Sequence, residues 1–137
     1  MTKDRTLSTA IQILTILAFR EGQSSTSEEM AVSLQTNPGL VRRVLAKLAK
    51  AGLVETRAGK NGGAEIARPA SKISLREVYE AVDAGPLFGT FDKEPYQACV
   101  VSCQMGGILD ETYSKLQSGL KMEMGKIKLE DIVKKLS

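Results

Sequence analysis

Thr26-Ser27-Glu28-Glu29-Met30-Ala31-Val32-Ser33-Leu34-Gln35-Thr36-Asn37-Pro38-Gly39-Leu40-Val41-Arg42-Arg43-Val44-Leu45-Ala46-Lys47-Leu48-Ala49-Lys50 is the stretch from which the rest of the chain is read. Thr26 followed three residues later by Glu29 has capping-box form: the hydroxyl can accept a backbone N–H, and the carboxylate can return a bond to the Thr26 N–H. Met30, Ala31 and Leu34 then share one face of a short helix. Asn37 is a favoured N-cap, and Pro38 suits the first helical position, where no N–H is needed. The helix it opens buries Val41, Val44, Leu45 and Leu48 and stops at Gly52. So short a join between Leu34 and Asn37 predicts a helix-turn-helix.

Upstream, Leu7, Ala10 or Ile11, Leu14 and Leu17 or Ala18 recur at helical spacing. Ile13 and Ile16 widen the stripe, so this first helix belongs at the centre of the core until Glu21-Gly22 ends it. Downstream, residues 53–57 and 64–68 alternate like strands around Ala58-Gly59-Lys60-Asn61-Gly62-Gly63, a β-hairpin or wing. Pro69 breaks the second strand. Ser74 and Glu77 form another capping box, opening a helix through Val78, Ala81 and Val82 that ends near Gly85-Pro86. Residues 87–98 carry no period and read as a loop. Leu109, Tyr113, Leu116, Leu120, Met124 and Ile127 recur at steps of three and four, the mark of a long amphipathic helix. Leu129 to Leu136 is a short terminal helix with Ile132 and Val133 inward. The expected fold is mainly α with a small β-hairpin: a winged helix-turn-helix over residues 1–84, a loop or hinge with the cysteines over 85–103, and a dimerisation helix with the terminal helix over 104–137.

Composition narrows the chemistry. At 137 residues the chain can bury roughly two thirds of its unfolded surface without a staple. It has no His, which removes Ser–His and Cys–His activation and imidazole metal sites. Two Cys cannot form a disulfide framework and suit a reducing cytosol. No apolar stretch approaches the ~20 residues that span a bilayer, and no signal peptide is visible, so a cytoplasmic protein without a membrane partner is expected. The net charge of +3 is unevenly spread: residues 1–68 hold ten Lys or Arg against six Asp or Glu, and residues 69–137 nine against ten.

That basic half points to a polyanion, with a merely solvated surface as the plain alternative. With Val41, Val44, Leu45 and Leu48 inward, Asn37, Gly39, Leu40, Arg42, Arg43 and Lys47 are left to face outward or sideways, and Pro38 joins the DNA-contact candidates at the start of the same helix. A recognition helix presents its N-terminal residues to base edges in the major groove, and Arg can fork onto guanine O6 and N7. Positive charge near a helix N-terminus is disfavoured by the dipole, so helix stability does not account for Arg42 and Arg43. Lys47, Lys60, Asn61 and Thr26 or Ser27 are candidates for positioning phosphates. Arg57 and Lys60 on the hairpin can meet phosphates or a minor groove. Its glycines more simply satisfy turn geometry.

Residues 7–82 resemble the winged helix-turn-helix of the Rrf-two regulator family, which includes IscR, NsrR and CymR. The matching pieces are the opening helix Leu7–Phe19, Ser27-Glu28-Glu29-Met30-Ala31, Lys47-Leu48-Ala49-Lys50-Ala51-Gly52-Leu53-Val54, and Gly62-Gly63. Ile73-Ser74-Leu75-Arg76-Glu77-Val78-Tyr79 and Leu129-Glu130-Asp131-Ile132-Val133 extend the likeness over nearly the whole chain. The resemblance implies a homodimeric transcription factor, usually a repressor, with paired wings and a long dimerisation helix. It places Arg42 and Arg43 where the family contacts bases. The family's wing Arg aligns with Ala58 here. Arg57 is one residue earlier, a shift that turns a strand side chain to the other face and leaves its minor-groove role open.

Cluster-binding members of the family hold iron–sulfur with three Cys before the long helix plus a further ligand. Here only Cys99 and Cys103 stand there, with Gly106 where some members have His, and Phe91 and Gln97 near the other expected ligands. Two thiols without imidazole do not complete such a site, so no cofactor is expected. The cysteines have three readings: a redox pair coupled to DNA affinity, inert small hydrophobes, or partners in intersubunit pairing or soft-metal binding. The stripe from Leu109 to Ile127 has two, folding back on its own domain or pairing with a second copy. Pairing would set two recognition helices roughly 34–36 Å apart.

The reading reached is a homodimeric, sequence-specific regulator of double-stranded DNA, a repressor on a palindromic operator, with room for an unnamed small-molecule or protein effector. A thiol-redox or protein-partner-binding module using the winged helix as scaffold is the alternative. An enzyme is the weakest reading, since Cys99 or Cys103 would lack an adjacent base.

Overall fold

The computed structural model describes residues 5–59, 62–83, 85–89 and 91–136. In chain order it has α1 (Thr6–Phe19), α2 (Ser27–Leu34), α3 (Pro38–Lys50), β1 (Val54–Arg57), β2 (Gly63–Ile66), a 3-10 turn (Ala70–Lys72), α4 (Leu75–Val82), α5 (Val100–Lys126) and α6 (Leu129–Val133). These form two compact units, Met1–Ala84 with Met124–Ser137, and Gly85–Glu123.

The first unit is built around α1. Ala10, Ile13, Leu14 and Leu17 are fully buried, as their helical spacing predicts. They meet Val41, Val44, Leu45 and Leu48 of α3 and Val78 and Val82 of α4 in a single apolar cluster. Truncating a residue such as Leu48 to Ala would cost about 2–5 kcal/mol. The turn between α2 and α3 is made by Gln35, whose left-handed backbone (φ 53°) lets the Thr36 N–H bond back to Ala31 O at 3.0 Å. Asn37 Oδ1 accepts the Leu40 N–H at 2.8 Å and Pro38 opens α3, so the local signals are realised as read.

The first capping box forms by half. Thr26 Oγ1 accepts the Glu29 N–H at 3.1 Å, but the Glu29 carboxylate goes to Arg20, 2.9 Å away. A charge-assisted bond outcompetes a return bond to a neutral amide. The second box closes in both directions: Ser74 Oγ accepts from the Glu77 N–H, and Glu77 Oε1 accepts from the Ser74 N–H, each at 3.2 Å.

The strands pair antiparallel, with Val54 opposite Ile66 and Arg57 opposite Gly63. Buried Ser25 adds a third strand position: its N–H donates to Ala64 O at 2.9 Å and its carbonyl accepts from the Ala64 N–H at 2.8 Å. Gly63 is required by that approach, because a Cβ there would stand 2.8 Å from Ser25 O.

The end of the chain differs from the grouping read in the sequence, where residues 104–137 stayed together. Leu75 N–H bonds Ile127 O at 2.9 Å, Leu129 N–H bonds Ile73 O at 2.8 Å, and Leu129 is fully buried. Residues from Met124 onward therefore belong to the first unit. Ile132 and Val133 are half-buried, and α6 stops at Val133. In the second unit α5 begins at Val100, ahead of its Leu109 stripe, so residues 100–103 form its first turn rather than a hinge. Among the described residues no helix is long and apolar enough to cross a membrane.

Candidate nucleic-acid interface

The N-terminus of α2, the exposed face of α3 and the hairpin enclose an open groove of about 600 Å³. Thr26, Ser27, Glu28, Arg42, Arg57 and Gly59 are among its lining residues. The amphipathic pattern of α3 turns its core face inward and leaves Arg42 and Arg43 exposed on the opposite side. Arg42 Nη1 lies 3.5 Å from Glu28 Oε1, and both side chains are well exposed. No ion pair engages Arg43 among the described residues.

The caps leave side-chain donors available, Thr26 on the groove and Asn37 at the start of α3. Thr26 Oγ1 and Asn37 Oδ1 spend acceptor capacity on helix N–H groups, which frees the Thr26 hydroxyl hydrogen and the Asn37 amide hydrogens. Ser27 is half-buried in the first turn of α2. Pro38 and Leu40 are half-buried, and Leu40 packs partly against the core. Arg57 is exposed and lines the groove with Arg42, although it shares the outer strand face with Glu55 and Glu65. Gly62 sits over the Arg57 carbonyl with no room for a side chain, so turn geometry alone accounts for it. Lys60 and Asn61 lie outside the described residues.

Lys47 has an intramolecular partner that spacing did not reveal. Its Nζ donates to Val82 O at 3.2 Å, in the last turn of α4, where a cation complements the helix dipole. Two further residues shape the groove without a sequence signal of their own. Ser25 holds β2 beside α2, and Arg20 links Ser25 Oγ (3.1 Å) to Glu29. Glu28 faces Arg42. Of the two acids of α2, Glu29 was legible as a cap former, whereas no signal in the sequence marked Glu28 as groove lining.

In the second unit α5 has no buried residue, and Leu116 and Leu120 are 50% and 42% exposed. Leu109 and Tyr113 are half-buried, the Tyr113 ring stacking on Phe88 of the preceding loop at 4.9 Å. Met124 and Ile127, at the end of the expected dimerisation stripe, lie in the first unit. Cys99 is half-buried, Cys103 exposed, and both thiols are free.

A helix-turn-helix, a β-wing and a cation-lined groove between them define a DNA-binding transcription regulator. The chain belongs to the Rrf2 (Rrf-two) family, whose model, described as an iron-dependent transcriptional regulator, matches residues 4–135. It is 35% identical over 130 residues to YwnA of Bacillus subtilis (strain 168), assigned as an HTH-type transcriptional regulator, covering 95% of this chain and 96% of that one. A crystal structure assigned as a DNA-binding protein is also 35% identical, with a TM-score of 0.73 and coverage of 93% of this chain and 97% of the other. CymR (YrzC), the global cysteine regulator of B. subtilis, shares the fold at 14% identity and a TM-score of 0.67, covering 100% and 99%.

The family's description names iron, and the donors here do not fit it. The sequence has no His, and among the described residues no three His, Cys, Asp or Glu side chains converge as a metal site would require. Cys99 Sγ accepts the Ser102 N–H at 3.4 Å, and Cys103 Sγ donates to the carbonyls of Tyr96 and Gln97 at 3.6 Å. Two thiols supply half of a four-thiolate iron–sulfur set.

Proposed function

We propose that the protein is a homodimeric repressor that occupies a two-fold symmetric operator in the cytoplasm, acting without an iron–sulfur cluster and without enzymatic activity. The observation that carries the reading is the groove between α3 and the wing, with Arg42 and Arg57 on its walls and hydroxyl donors at its rim. In this reading α3 enters the major groove. Arg42 and Arg43 present guanidinium forks to guanine, worth about 1–3 kcal/mol of discrimination each. Thr26, Ser27, Asn37 and the N–H groups opening α2 and α3 meet phosphates, with Pro38 and Leu40 packing at the sugar edge. The wing, through Arg57, Lys60 and Asn61, follows the backbone into the adjacent minor groove.

Dimerisation is argued from α5. A helix of 27 residues spans roughly 40 Å and has no fully buried residue, and its Leu116 and Leu120 are exposed. Pairing the faces that bear Leu109, Leu116 and Leu120 would remove that apolar surface from water and set the two α3 helices one DNA turn apart. A repressor follows if the occupied operator overlaps a promoter.

Selection from random duplex DNA with the purified protein tests this reading. A two-fold sequence with half-sites about 10 bp apart is expected, along with rising reporter expression when the gene is removed. Enrichment of no sequence, or of a single unpaired half-site, would reject it.

A further inference from the structure

Cys99 and Cys103 line one cavity of about 560 Å³ in the second unit, together with Lys93, Glu94, Met105 and Asp110. Their backbone setting is specific. Cys99 immediately precedes α5, and its Sγ takes the place of a capping oxygen, accepting the Ser102 N–H at 3.4 Å. Cys103 stands one turn on, its N–H bonded to Cys99 O at 3.0 Å. The preceding loop is fastened to this same turn: Tyr96 N–H donates to Ser102 Oγ at 2.8 Å, Cys99 N–H to Tyr96 O at 3.0 Å, and the Cys103 thiol to Tyr96 O and Gln97 O. Each of these bonds ends on Cys99, Ser102 or Cys103.

Helix neighbours four residues apart have Cβ atoms about 5–6 Å from each other. A disulfide needs about 3.5–4.5 Å. The two sulfurs therefore cannot join while the turn is intact, yet the shortfall is small enough for one terminal turn to supply by unwinding. We propose that Cys99 and Cys103 are a two-electron thiol pair for a peroxide oxidant, and that closing their disulfide unwinds the first turn of α5 and releases the loop at Tyr96 and Gln97. In the balanced step with hydrogen peroxide two S–H bonds and the O–O bond break, one S–S and two O–H bonds form, and two waters leave. The sulfurs are oxidised and the peroxide is reduced. The inference is independent of the DNA-binding reading, because its readouts are thiol chemistry and local amide exchange.

The test uses the full chain treated with hydrogen peroxide, then alkylated and weighed intact. The expected product is a monomer by denaturing, non-reducing electrophoresis that has lost two hydrogens and both titratable thiols. Amide exchange over residues 100–106 should accelerate about tenfold or more and return to its starting rate with dithiothreitol. Cys99→Ser retains a capping oxygen for Ser102 and lacks the second thiol, so it should show neither change. Surviving thiols, disulfide-linked dimers, sulfinic acid in place of a disulfide, or a disulfide with unchanged exchange would each overturn the proposal.

Discussion

Arg42 Nη1 stands 3.5 Å from Glu28 Oε1, joining the arginine of α3 that lines the groove to an acid that lines it too. An exposed pair of this kind is worth about 0.2–1 kcal/mol in water, so its stability contribution is small. On the proposed function its effect would fall on DNA reading, with Glu28 orienting the guanidinium before contact and repelling phosphates that approach in the wrong register.

Arg42→Ala is therefore expected to lower the affinity ratio between operator and scrambled duplex by about 1–3 kcal/mol, mainly by weakening the operator complex. Glu28→Gln should act differently, strengthening binding to both duplexes by about 0.2–1 kcal/mol as one repulsive charge is lost. Fluorescence anisotropy with both duplexes at matched salt distinguishes them. Equal effects from the two substitutions would remove Arg42 from base reading.

Lys47 separates a stability role from a DNA role. Removing its bond to Val82 O with Lys47→Met should lower unfolding free energy by about 0.5–1.5 kcal/mol. The dependence of DNA affinity on salt should stay close to that of the wild-type protein. A slope reduced by about 0.9, the signature of one lost phosphate contact, would instead place the ammonium on DNA.

Glu77 links stability to pH. Burial by itself would raise its pKa, but the Arg68 guanidinium at 2.7 Å and the Ser74 N–H outweigh this and hold the carboxyl below its ordinary value of 4.5. A depressed carboxyl contributes stability that is present above the unfolded value and lost as pH falls through the folded one. Urea titrations from pH 6 downward should thus show wild-type stability falling below about pH 4.5, with the fall attenuated in Glu77→Gln. Ser74→Ala should cost about 0.5–2 kcal/mol at neutral pH through the lost cap. An unattenuated fall in Glu77→Gln would assign the acid sensitivity to other carboxylates.

Leu116 and Leu120 carry the test of assembly. Both are exposed in the single chain, so a double change of Leu116→Asp and Leu120→Asp should leave the first unit's unfolding transition in place. Sedimentation should then report a monomer, and operator affinity should fall by about a hundredfold or more as binding to two half-sites is uncoupled. A dimer that survives the double change would place the contact elsewhere.

What was legible in the sequence was short-range. Thr26, Asn37-Pro38, Ser74 with Glu77, and the glycines of the wing announce themselves because each makes or permits a backbone bond within a few residues. The inward faces of α1 and α3 are equally local, since helical period alone selects Ile13, Leu14, Val44 and Leu48 for burial. Recognition helix, wing and long helix all followed from these signals.

Only tertiary structure decided which distant groups meet. Nothing near Ser25 predicts its pairing with Ala64, and nothing near Lys47 predicts a carbonyl at Val82. Likewise, Glu29 satisfies a capping motif on paper and turns to Arg20 in space, while Leu129, expected to group with the long helix, bonds Ile73 in the first unit. These contacts join chain segments that only the packed core holds together, and competition among hydrogen-bond partners is settled by distance and charge rather than by sequence neighbours. The groove is of the same kind: its cations were readable one by one, but the wall opposite them, including Glu28, existed only once α2, α3 and the hairpin had packed together.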